Sequence, residues 1–157
     1  TGGVAPIPEM LKEGVNVTVG TDGSTTNNSL DMFGEMKTMA LLQKSSRWDP
    51  TVVTAQQALD FATINAARSI GMPDLGSIEV GKRADLLIMD HLSPSLRPLT
   101  TDNVVSNLIF AANRNDVRTV LCDGKVVVRD RRPTTLDLEK VIEDGQKAMG
   151  QITSRQG

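Results

Sequence analysis

Asp22 follows a short run of alternating valines, in VNVTVGTDGSTTNN at residues 15–28. A carboxylate just past the end of a strand can do two kinds of chemistry. It can bind a divalent metal, or it can take up a proton and return it. Ligand sites of α/β folds collect at the carboxyl ends of strands, which is where this residue falls. The same stretch also reads as plain turn chemistry. Asp-Gly followed by small polar residues makes Asx-turns freely, so residue type alone leaves both readings open.

The other reactive groups narrow what Asp22 could do unaided. A catalytic zinc site takes about three protein ligands and a water. The chain has a single histidine, His91, in a proline-containing loop distant from Asp22, and it has no His-x-His pair. His91 is expected as an exposed loop residue, and one histidine on a loop does not build a Ser-His-Asp set. GTDGST lacks both the Walker lysine and the dinucleotide-loop spacing. Cys122 lies in a valine-rich strand and reads as a buried small hydrophobe, not a nucleophile. The remaining acidic residues fall mostly on helices and turns, as caps and solvated faces.

The elements that must position Asp22 follow from periodicity and punctuation. Pro8 to Glu13 reads as a short helix stopped by Gly14. Val15, Val17 and Val19 alternate with Asn16 and Thr18, which predicts a strand with one apolar face. Residues 21–30 read as loop. Asp31 caps a predicted helix over Met32 to Lys44, with Met32, Phe33, Met36, Met39, Ala40 and Leu42 as its apolar stripe. That methionine-rich stripe reads as core. Thr54-Ala55-Gln56-Gln57 is a capping-box pattern opening a helix through Phe61. A second short helix runs from Thr63 to Ile70, with Gly71 as its stop.

Ser77 to Val80 and Asp85 to Asp90 read as strands about the Gly81-Lys82 turn, the second of them buried. Asp102 caps a predicted helix through about Ala112, with Val105, Leu108, Ile109 and Ala112 on one face. Val117 to Cys122 and Lys125 to Arg129 read as a hairpin about Asp123-Gly124, the strongest short hairpin signal. Asp137 caps a final helix from Leu138 to about Met149, and the ITSRQG tail is expected to fray. The valine strand at 15–19 has no near neighbour to pair with. It must join the distant strands or belong to a sheet whose other members lie outside this chain.

Bulk properties exclude several classes. A length of 157 residues suits one ordinary domain with a real core. Net charge is −2 with the basic residues dispersed, and aromatic content is 3%, so no nucleic-acid partner is expected. No apolar run approaches the ~20 residues that span a membrane, so no membrane partner is expected either. One cysteine excludes an intrachain disulfide and fits a reducing compartment, so a cytoplasmic location is expected. The opening TGGVAPIPEM lacks a basic region and an apolar stretch, so no signal peptide is expected.

GTDG at 20–23 followed by TTNNSLDM at 25–32 resembles the end of the last barrel strand in the amidohydrolase superfamily. The likeness is to the methylthioadenosine/S-adenosylhomocysteine deaminase and triazine chlorohydrolase branch. It continues through APIPEMLKEGVNVTVGTDG at 5–23, ALDFATINAARSIG at 58–71, LGSIEVGKRADLLIMD at 75–90 and VRTVLCDGKVVVRD at 117–130. The 75–90 signature marks the superfamily as a whole, and the TNNSLDM run marks the branch.

The resemblance implies an α/β fold. This chain would be the C-terminal portion of a (β/α)8 barrel, its last strand and helices, plus part of a small β-sandwich. Residues 1–74 would be barrel, 75–132 the β-rich portion with one helix, and 133–157 the terminal helix and tail. It also implies a divalent metal, zinc or iron, which activates water to displace an amino or chloro group from a purine-, pyrimidine- or triazine-like ring. By the family's pattern Asp22 is the metal-associated aspartate, taking the water's proton and passing it to the departing group. Gly20 and Gly23 would let the backbone approach the site, and Asn27 and Asn28 would line its loop. A small heterocyclic substrate and a homo-oligomer are expected. The family's four histidine ligands are missing here, so the chain is expected to be the last third of such an enzyme, inactive alone. Apolar surface on Val15, Val17 and Val19 would then be exposed. The competing expectation is a non-catalytic α/β module that self-associates or binds a partner.

Overall fold

Helix starts are written into side chains that accept from the first free N–H groups. The computed structural model describes residues 3–154. Helix α1, Ile7–Lys12, has proline in its first turn and stops before Gly14, whose φ is +72°. The Asp31 carboxylate accepts from Phe33 N at 3.1 Å and Gly34 N at 3.3 Å, opening α3, Met32–Arg47. Between them lies α2, Ser24–Asn27, a single turn where a loop was expected. Helix α3 runs past the predicted end at Lys44. Arg47 pairs with Glu9 of α1, and Trp48 closes the helix in the left-handed region at φ +53°.

Thr54 and Gln57 form the full reciprocal capping box of α4, Ala55–Ala62. Helix α5, Ile64–Ser69, ends before Gly71 at φ +71°. Helix α6, Val104–Phe110, starts behind Asn103 and not Asp102, and it ends short of Ala112. Asn103 does not cap it. Its side chain instead accepts from Thr100 N at 2.8 Å and donates to Pro98 O at 2.9 Å, closing the preceding loop.

Helices α3, α4 and α6 pack on one another. Met36, Ala40, Ala58, Phe61 and Ile109 form the centre of the core, with Val17 and Ile7 at its edge. The predicted methionine stripe is core at Met36 and partly so at Met39, but Leu42 faces outward. Burying a side chain of the size of Phe61 contributes about 1.5–3 kcal/mol.

Strands β1 (Leu86–Met89), β2 (Val117–Cys122), β3 (Lys125–Arg129) and β4 (Arg132–Pro133) form one antiparallel sheet in that order. Asp123 and Gly124 have φ of +50° and +76°, the two left-handed residues that a tight β2–β3 hairpin takes. The short β4 was not anticipated. Its Pro133 lacks an N–H and sits on the sheet's edge, where no ladder bond is lost. Met89 and Val117 pack against the helical core and join sheet to helices.

Between β1 and β2 lie two 3₁₀ turns, at Pro94–Leu96 and Arg114–Asp116. Asp116 is buried there and accepts from Ser93 Oγ, Ser95 Oγ (2.8 Å), Asn113 N (2.9 Å) and Asn113 Nδ2 (2.9 Å). This network ties the loop after β1 to the start of β2. Helix α7, Leu138–Thr153, is capped by Asp137 through Lys140 N at 3.1 Å and has no buried residue. Residues 155–157 of the predicted fraying tail lie outside the described residues.

Several expectations change. Residues 15–19 are extended but pair with no strand among the described residues. Val17 is buried and Val19 half-buried against the helices, so only Val15 carries the expected exposure. Ser77 to Val80 is not a strand. It turns, with Ile78 and Val80 wholly outside any apolar cover. Among the described residues no neighbouring strand offers its backbone a ladder, and alternation alone does not make a strand. Strand β1 is less buried than its composition suggests, with Leu87 and Ile88 exposed. Cys122 is exposed as well, since it ends β2 at the hairpin. Among the described residues the sheet is a single antiparallel layer, as one part of a sandwich would be. Among the described residues no helix is long and apolar enough to cross a membrane.

Candidate functional site

The segment bearing Asp22 is held to helices and not to a sheet. Val19 N donates to Phe61 O at 3.2 Å. Asn65 Nδ2 donates to Val17 O at 3.1 Å, and Asn16 Nδ2 donates to Asn65 O at 3.0 Å. These bonds satisfy an extended backbone that would otherwise have orphan groups next to a buried valine. Asn16 and Asn65 were not anticipated. Their only signal in the sequence was an amide side chain at each of two places some fifty residues apart.

Beyond Val19 the chain emerges from cover. Asp22 is exposed and takes φ +55°, a left-handed conformation that aspartate adopts more readily than most residues. Among the described residues no donor meets its carboxylate, and the bond from Thr21 Oγ1 to Asp22 O at 3.2 Å engages its backbone. Gly20 has open space where a Cβ would stand, and at Gly23 the nearest atom, Thr26 Oγ1, is at 3.6 Å. Neither glycine is required by the packing of this chain itself.

Asn27 and Asn28 have distinct tasks. Asn27 Nδ2 donates to Thr21 O at 2.9 Å and to Glu35 Oε1 of α3 at 2.6 Å. Asn28 closes α2 as its C-cap, at φ +58°, with its N–H on Ser24 O. Asn27 therefore braces the Asp22 loop, and Asn28 ends the turn that follows it. Glu35 is a further residue of the loop that sequence reasoning passed over as a solvated helix position.

Asp22 stands without the partners that a metal requires. Among the described residues there is no group of three or more His, Cys, Asp or Glu able to hold an ion. His91 is exposed on the turn after β1, as expected, and is not brought to Asp22. The residues present do not fit a metal centre on their own.

The model of the amidohydrolase family matches residues 1–127. The chain belongs to the amidohydrolase family. Among its relatives is a 5'-deoxyadenosine deaminase of Methanosarcina mazei, 45% identical over 153 residues, 98% of this chain and 35% of that protein. A 5-methylthioadenosine/S-adenosylhomocysteine deaminase of Moorella thermoacetica is 47% identical over 148 residues, 94% of this chain and 34% of that protein. The chain thus spans about a third of the length of the curated relatives it matches.

Solved structures share the fold. An adenosine deaminase from Xanthomonas campestris with bound zinc superposes with a TM-score of 0.91 at 37% identity, over 97% of this chain and 34% of that one. Atrazine chlorohydrolase from Arthrobacter aurescens, complexed with zinc, gives 0.82 at 29% identity, over 92% of this chain and 32% of that one.

Proposed function

We propose that this chain is the proton-carrying C-terminal part of an enzyme that hydrolytically deaminates the purine ring of an adenosine-like nucleoside. The observation that carries the reading is the Asp22 carboxylate, exposed and met by no donor among the described residues, at the end of a segment anchored to α4 and α5. A carboxylate engaged in a turn would be spent on backbone N–H groups. This one is left to act on something outside the chain.

In this reading Asp22 takes a proton from the water that attacks the ring carbon bearing the amino group. It then delivers that proton to the departing nitrogen, so that ammonia leaves and a carbonyl remains. Proton transfer by a placed side chain contributes about 10²–10⁴-fold to rate. The purine ring is preferred over a triazine because the deaminase relatives are 39–47% identical to this chain and the chlorohydrolase 29%. Metal ligands, with zinc as the ion of the similar structures, come from residues that this chain does not contain, and the 157-residue chain is inactive alone. Residues 1–74 then serve as the end of a barrel, 75–132 as the β-rich portion, and 133–157 as a terminal helix.

The test is a hybrid in which residues 1–157 replace the matching last third of the Methanosarcina mazei deaminase, supplied with zinc. Ammonia release from 5'-deoxyadenosine is expected from the hybrid and not from the isolated chain. Asp22→Asn is expected to cut turnover by about 10²–10⁴-fold with an unchanged melting temperature. A folded Asp22→Asn hybrid that turns over at the parent rate overturns the reading.

A further inference from the structure

We propose that Glu35, acting through Asn27, is a positioning residue for Asp22. The inference rests on the functional reading of Asp22 given above, but the geometry behind it stands apart from that reading. The carbonyl of Thr21 and the N–H of Asp22 belong to one peptide plane. Asn27 Nδ2 holds that carbonyl at 2.9 Å, so it sets the plane from which the φ of Asp22 is measured. The same amide nitrogen has a second hydrogen, and Glu35 Oε1 accepts it at 2.6 Å. Glu35 lies in the first turn of α3, a 16-residue helix capped by Asp31 and packed into the core through Phe33 and Met36. The line of support runs from a rigid helix, through a charge-assisted bond, to the peptide that aims Asp22.

The need for such support is visible in Asp22 itself. Its φ of +55° lies in the left-handed region, which aspartate reaches more readily than most residues but which still disfavours a side chain with a Cβ. Helix α2, a single turn, cannot supply the rigidity. The other side-chain bonds of the loop, Thr21 Oγ1 to Asp22 O and Thr26 Oγ1 to Gly23 O, engage peptides on the far side of the Asp22 Cα. Among the described residues, Asn27 alone grips the near side.

The experiment reads Asp22 directly, by backbone chemical shifts and the HN–Hα coupling of Asp22 in isotopically labelled chain. The parent is expected to show a left-handed Asp22. Glu35→Ala and Asn27→Ala are expected to shift it toward an averaged, right-handed value, while Glu35→Gln, which keeps an acceptor, restores the parent signal. In the zinc-supplied hybrid, Glu35→Ala is expected to lower kcat at least tenfold with KM within twofold, and Glu35→Gln to recover most of it. An Asp22 signal that is not left-handed in the parent, or that Glu35→Ala leaves in place, overturns the proposal. So does an unchanged kcat in Glu35→Ala when Asp22→Asn abolishes turnover. A parent hybrid without activity would sink the functional reading alone, since the Asp22 signal still decides the positioning role.

Discussion

Asn16 and Asn65 each grip the other's strip of backbone. Asn16 Nδ2 donates to the Asn65 carbonyl at 3.0 Å, and Asn65 Nδ2 donates to the carbonyl of Val17, next to Asn16, at 3.1 Å. This reciprocal clasp, with Val19 N on Phe61 O, replaces the strand ladder that the valine alternation suggested.

Breaking the clasp should loosen the Asp22 segment before it harms the core. Asn65→Ala removes one bond to a part-buried carbonyl, an expected cost of about 1–2 kcal/mol in urea unfolding. Amide exchange at Val19 should rise more than at Ala58 in the centre of α4. Equal acceleration at both sites would show that the clasp is not local.

Gly76 is the glycine whose replacement the fold should resist most. Its φ is +85°, and a Cβ there would lie 2.7 Å from Ile64 Cα and 2.9 Å from Thr63 O, all unyielding backbone. Gly76→Ala should cost at least ~2 kcal/mol by denaturant unfolding, combining strain with overpacking. Gly14→Ala, with open space around it and φ +72°, should cost less. A smaller loss at Gly76 than at Gly14 would refute the close approach to the α4–α5 junction.

Acid should weaken the loop after β1. Burial pushes the Asp116 carboxyl up, but bonds from Ser93, the Asn113 backbone and Ser95, with the charge of Arg131, outweigh it and hold the pKa below the usual carboxylate range. A carboxyl depressed in the folded state stabilises above its unfolded pKa, and that contribution is lost as pH falls through the folded value. Stability measured by urea should therefore decline with pH below the ordinary aspartate range, and Asp116→Asn should flatten part of that decline. At neutral pH, Asp116→Ala takes the acceptor from the Asn113 N–H groups and leaves the Ser93 and Ser95 hydroxyls only each other, at about 1–3 kcal/mol. An acid slope identical in parent and Asp116→Asn would remove this group from the account.

Cys122 should behave as a surface thiol. It is exposed at the end of β2, where the valine-rich context had suggested burial. A thiol reagent such as dithionitrobenzoate should label it in the folded chain, without denaturant, at one equivalent per chain. Protection of the thiol until unfolding would contradict the exposure.

What was legible in the sequence was mostly local. The caps at Asp31, Thr54 and Asp137 join a side chain to N–H groups two or three residues on, so residue type and spacing suffice to place them. The β2–β3 hairpin is equally local, because Asp123-Gly124 can reach the left-handed region and the flanking valines pair at short range. Family membership was legible for the same reason, in contiguous runs such as GTDG and TTNNSLDM. Asp22 was singled out this way, from its place after the valines.

Tertiary structure decided whatever depends on partners far along the chain. Whether Val15 to Val19 is a strand turns on which groups meet its backbone, and α4 and α5 meet it through Phe61 and Asn65. Whether Ser77 to Val80 is a strand turns on a neighbour that the described residues do not offer. The Glu35 end of the brace on Asn27, and the serine donors in the pocket of Asp116, draw on residues 8 to 23 positions apart. A hydrogen bond of that kind is set by how helices pack and not by neighbouring residue types. The sequence by itself therefore determined the locally capped helices and the hairpin, and it singled out the Asp22 carboxylate. Only the packed chain decided how that carboxylate is held.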